Sequence, residues 1–195
     1  MSIFANNTNN QDVDPWSMFS RMQKRPYSSK FDIKNYDDHH VAYDFQSGLV
    51  YWFQDGSAKV ITENPDSHTY WYKDQMTTHY ISDLDRVIIS DFNDHNGNIV
   101  YELLMADKKH LKSIYNLQKK PENLTLVPKE KSIIKKIEVF YTKSQIPYRF
   151  IFFDQLGYQT VLTLQHPKTF SKQKKNLIDY PKTAEVRDHV RHSVI

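Results

Sequence analysis

From residue 41 to residue 90 the chain repeats apolar and polar residues with a period of two, and turn-forming residues break the pattern at short intervals. That pattern fits strands with one face buried and is hard to reconcile with helix. Six strands are predicted, over 41–45, 49–53, 58–62, 69–73, 77–81 and 86–90. Gln46-Ser47-Gly48 reads as a turn, Asp55-Gly56 as a tight hairpin and Asp74-Gln75 as a further turn. Thirteen Tyr and eleven Phe agree with a sheet, because aromatic side chains pack well on a pleated surface.

The period then changes. Val100, Leu103, Leu104, Leu111, Ile114 and Tyr115 follow helical spacing, which predicts an amphipathic helix over 98–118, stopped by Pro121. Strands resume at 137–142, 148–153 and 158–165, with a turn at Gln155-Leu156-Gly157. Thr183 is placed to cap a last helix carrying Val186 and Val190. Near the start, Asp14-Pro15-Trp16 has the form of a helix N-terminus, with Trp16, Phe19 and Met22 on one side. The expected fold is α+β: an antiparallel β-meander packed on an amphipathic helix, followed by a second, shorter sheet-plus-helix unit. The corresponding units are a disordered tail (1–12), a cap helix and linker (13–38), a first domain (39–120), a linker (121–136) and a second unit with a basic tail (137–195).

Composition narrows the chemistry. The chain has no Cys, which excludes disulfides, thiolate metal sites and Cys nucleophiles, and leads us to expect a reducing compartment. No stretch has the length of apolar sequence that a membrane span needs, and residues 1–10 lack the form of a signal peptide. An intracellular location, cytoplasmic or nuclear, is expected. Charge is unevenly distributed. Residues 1–100 hold 8 Lys/Arg and 14 Asp/Glu, whereas residues 101–195 hold 18 and 9. A basic half attracts phosphate, whether on a peptide, a nucleic acid or a lipid, although a solvated Lys-rich surface gives the same count.

Val41-Ala42-Tyr43, Gly48-Leu49-Val50-Tyr51 and Asp55-Gly56-Ser57-Ala58-Lys59-Val60 stand in an order and spacing that resemble the first polo box of polo kinases. Tyr72, Asp74 and His79-Tyr80-Ile81 continue the resemblance across residues 39–119. A second stretch, 137–170, is similar to the second polo box through Thr142-Lys143-Ser144, Gly157, Gln165 and His166-Pro167-Lys168. The resemblance implies a phosphate-binding pair, His166 and Lys168, and targeting to centrosomes, basal bodies or kinetochores. His40 stands where the family has a Trp that packs on the peptide, and no kinase motif accompanies the boxes.

Other constellations are weaker. The nine His show no metal-binding spacing, and no metal or cofactor is expected. Asp91, Asn93, His95, Gly97 and Glu102 echo a calcium loop with its Gly displaced by one, and read more simply as a turn. Trp52 and Trp71 lie among Tyr residues on strands. With His40 they form the expected partner surface, alternation leaving one Trp face exposed. No catalytic signature is present, so an enzyme is not expected. The expected function is docking onto a phosphorylated or acidic protein segment. The alternatives are a phosphate-independent, dimeric scaffold and a basic nucleic-acid-binding or virion-associated β-protein.

Overall fold

Alternation begins earlier than Val41. The computed structural model describes residues 15–16, 19, 26–91, 108–120, 122–144, 146–169 and 178–189, with the His166 side chain left out. Its first strand, β1 (Tyr27–Tyr36), points Tyr27, Ser29 and Phe31 inward and Lys30 and Lys34 to solvent. This stretch was expected as linker. The N-terminal cap helix lies mostly outside the described residues, but Trp16 and Phe19 are both buried.

β2 (Ala42–Trp52) runs unbroken through the segment expected as a turn at Gly48. The glycine is needed for a different reason. β2 slips register against β3 between Ser47 and Gly48, and a Cβ on Gly48 would lie 2.0 Å from the Ile61 carbonyl oxygen. β3 (Ala58–Asn64), β4 (His68–Lys73), β5 (Met76–Ile81) and β6 (Arg86–Asp91) follow as successive hairpins. Their turns use the expected residues: Gly56 has φ +80, and Asp74 and Gln75 both have positive φ in a two-residue connection.

After β6 the structure departs from the expected α+β plan. The predicted long helix is described only as α1 (Lys108–Ile114), and Tyr115–Lys119 is already a strand, β7. Residues expected as a linker contain β8 (Asn123–Pro128) and the start of β9 (Ile134–Tyr141). β10 (Pro147–Asp154) and β11 (Gln159–Thr169) come next. The expected terminal helix is instead β12 (Glu185–Asp188), a short exposed strand. The calcium-like stretch lies outside the described residues beyond Asp91.

These strands make one sheet, not two sheet-plus-helix units. Its order is β12-β6-β5-β4-β3-β2-β1-β11-β10-β9-β8-β7. β1 is the seam, since it pairs with β2 on one side and with β11 on the other. Every neighbour is antiparallel except β12, which lies parallel to β6. A twisted sheet of this width curls, and here it forms an open barrel whose edges are β12 and β7.

Candidate functional site

Partners directly opposite in a register share a face, so the inner surface can be traced strand by strand. Phe31 of β1 is opposite Leu164 of β11. Leu162 is opposite Phe150, Phe150 opposite Val139, and Val139 opposite Leu124. In the other direction Tyr27 leads to Trp52, Ala58 and Tyr72. All of these residues belong to one buried apolar cluster. No second sheet covers it among the described residues. Among the described residues its cover comes from Trp16, Phe19 and Leu111 of α1. The inner face is therefore an apolar surface spanning most of the sheet.

Two polar atoms inside it stand out. Tyr27 and Trp52 are stacked, with centroids 4.5 Å apart, and only 6% and 2% exposed. Neither the Tyr27 hydroxyl nor Trp52 Nε1 has a hydrogen-bond partner among the described residues. Burial raises the Tyr27 phenol far above its ordinary value of 10.0, and it raises Tyr70 in the same direction. The unfolded phenols ionise near that ordinary value while the folded ones resist. Their contribution is therefore intact below about pH 10 and is lost as pH rises beyond it. Melting temperature is expected to fall steeply above pH 10, and less steeply in Tyr27→Phe. A calorimetric pH series checks this.

A second polar feature lies further along the same face. His79 Nε2 is 3.0 Å from His68 Nδ1, and the Tyr70 ring stacks on His79 at 4.2 Å. Both His are half-buried. Their two nitrogens alone are too few for a metal centre. The described residues bring three potential ligand atoms together only at Asp37, Asp38 and His39. These sit on a turn, where the Asp37 carboxylate already accepts from the His39 and Val41 amides.

The sequence-predicted site residues are scattered. Trp52 faces the inner core. Trp71 is on the opposite face, 1% exposed, beneath the Tyr180 ring and with Lys59 Nζ 5.0 Å from its own ring. The expected exposed Trp surface is thus corrected, because alternation buries one Trp on each side of the sheet. His40 is exposed with φ 63, and its Nδ1 accepts from Gln159 Nε2 at 2.8 Å. Lys168 is exposed opposite Ser28, and the register shifts between that pair and the Lys30–Gln165 pair. His166 and Pro167 fall between these two pairs. Sequence reasoning missed Tyr27, Phe31 and the β8–β10 apolar residues. The alternation within Tyr27–Tyr36 was the available signal.

A family model described as "Outer membrane lipoprotein carrier protein LolA" matches residues 24–178. The chain belongs to the LolA family. Solved structures agree on the fold. An uncharacterized conserved protein from Thermus thermophilus aligns with TM-score 0.62 and 14% identity, over 92% of this chain and 99% of that one. A LolA superfamily protein, NE2245 from Nitrosomonas europaea, gives 0.51 and 14%, over 82% and 95%. A chain of the MucA/MucB complex from Pseudomonas aeruginosa gives 0.50 and 12%; 82% of this chain covers 58% of that one. A search by sequence against curated proteins finds no significant match.

LolA membership overturns the polo-box resemblance and what it implied: docking on phosphorylated or acidic segments, the cell-cycle locations, and phosphate binding as the role of the basic half. The scaffold and nucleic-acid readings give way for the same reason. So does the expected cytoplasmic or nuclear location, since the family's description is of an outer-membrane lipoprotein carrier. The LolA family is one of carriers. No described helix is long and apolar enough to cross a membrane.

Proposed function

We propose that this chain is a carrier that shields the acyl chains of a lipid-modified protein on its inner face, in the aqueous space beneath an outer membrane, without catalysing any reaction. One observation carries the reading. Among the described residues the sheet buries a single apolar cluster whose cover is Trp16, Phe19 and Leu111 and not a second sheet. A sandwich core is closed for good by its other layer. Side chains such as Leu111, Trp16 and Phe19 can exchange with acyl chains at little net change in buried apolar area, so loading and unloading need not unfold the sheet. The family match supports the ligand class.

The absence of Cys makes the test direct. Leu117 packs at the margin of the cluster on the edge strand β7. A Leu117→Cys variant carrying a solvatochromic fluorophore is expected to show a saturable blue shift with an acylated lipopeptide and none with the same peptide lacking acyl chains. Equal responses to both peptides, or no response to either, would rule the carrier reading out.

A further inference from the structure

We infer that Tyr27 and Trp52 form a recognition point for the acyl carbonyl within the inner face, so that the site selects acyl ligands over plain hydrocarbon chains. The inference rests on the carrier reading and extends it to specificity. Buried polar groups in folded proteins almost always have hydrogen-bond partners. Here two such groups, the Tyr27 hydroxyl and Trp52 Nε1, lie unpartnered among the described residues on side chains more than nine-tenths buried. They are not independent accidents of packing. The two residues sit directly opposite across the β1–β2 pair and stack on each other. Both groups are donors, and the indole nitrogen can do nothing else.

A ligand that suits them is apolar along its length and carries an acceptor at one place. An acyl chain has this form: hydrocarbon except for one carbonyl oxygen, whose two lone pairs accept two donors. The inner-face neighbours Ser29, Val50, Ala58 and Tyr72 carry no charge. That favours a neutral ester or amide over a free carboxylate, which would be buried without a cation. The shared chemistry is the carbonyl, whether it belongs to a glycerol ester or to an N-acyl amide.

The test compares three ligands in detergent solution with the full chain: a dipalmitoyl ester phospholipid, its dihexadecyl ether counterpart, and an N-palmitoyl peptide. The ether has the same chains and headgroup but no carbonyl. The wild type is expected to bind the ester about tenfold more tightly than the ether, the scale of one or two net hydrogen bonds. Tyr27→Phe keeps the ring and its stacking. It is expected to leave ether affinity unchanged and to bring ester or N-palmitoyl affinity down towards it. Loss confined to one carbonyl ligand identifies which source the pair reads. The unliganded Tyr27→Phe protein is expected to melt higher than wild type, because a buried hydroxyl with no partner is removed; a hydroxyl with a purely structural role would give the opposite sign. Equal wild-type affinities for ester and ether, or a preference that survives the substitution, would overturn this inference and leave the carrier reading standing. Saturable binding of none of the three would overturn both.

Discussion

Gly48→Ala is expected to prevent this chain from folding stably. The reason is not a special φ, since Gly48 is absent from the positive-φ glycines. It is the approach of β3. A methyl group at residue 48 would meet the Ile61 carbonyl oxygen at 2.0 Å and the Thr62 Cα at 3.0 Å. Both are backbone atoms, so no side chain can rotate away. The strands would have to separate next to the register shift, losing ladder hydrogen bonds between β2 and β3 and loosening Val50 and Val60 beneath them. Overpacking in a core side chain costs about 1–3 kcal/mol. A backbone clash that breaks a ladder belongs in the rarer range above about 4 kcal/mol. A urea titration followed by circular dichroism checks this. A midpoint within experimental error of wild type would show that the strands can part there freely.

Phe150→Ala is the second large effect. Phe150 is fully buried at the middle of β10, opposite Leu162 on one side and Val139 on the other. Truncation removes apolar area and leaves a cavity that a curved sheet, with its registers fixed, cannot collapse around. The expected loss is about 3–5 kcal/mol. The variant separates structure from loading. If the inner face holds acyl chains, part of this loss should be regained when the lipopeptide is present, because a ligand that binds only the folded state stabilises it by mass action. Chemical denaturation with and without ligand measures both quantities. A loss below about 1 kcal/mol would mean that Phe150 is not central to the core.

The sequence made some of this plain. Strands β3 to β6 and the turns at Asp55-Gly56 and Asp74-Gln75 follow from alternation and turn chemistry, because hairpins are local. What failed was reading beyond the local scale. Tyr27–Tyr36 alternates as clearly as any strand, but it sits between β2, the next strand, and β11, more than a hundred residues later, and nothing nearby announces the second partner. Tyr115 continues the helical spacing of Leu111 and Ile114 by coincidence: the helix ends at Ile114, and Tyr115, with Leu117, falls on the inner face of β7. Trp52 and Trp71 were expected to leave one Trp face exposed, because neighbouring residues on a strand point to opposite sides; Trp71 is the one on the outer face. Sequence does not reveal that Tyr180 comes back to cover it. The absence of Cys was read as a sign of a reducing compartment, yet a chain without thiols is equally suited to an oxidising one. The candidate site was the least legible part, because an apolar face carries no motif.

The place of β1 in the sheet has a kinetic consequence. Tyr27–Tyr36 pairs with Gln159–Thr169, so one side of this long strand stays bare until a partner more than a hundred residues later arrives. A chain emerging from the ribosome can zip up β1 to β6 as consecutive hairpins. It cannot join its two halves before β11 is made. Pairing over such a distance is slow to nucleate, and topologies dominated by it fold in milliseconds to seconds rather than microseconds. During that interval the exposed edge of β1 is an open template for any other strand. Newly made copies of this protein therefore have a built-in window in which they remain unfinished, and in which a holding chaperone or an export machine could engage them.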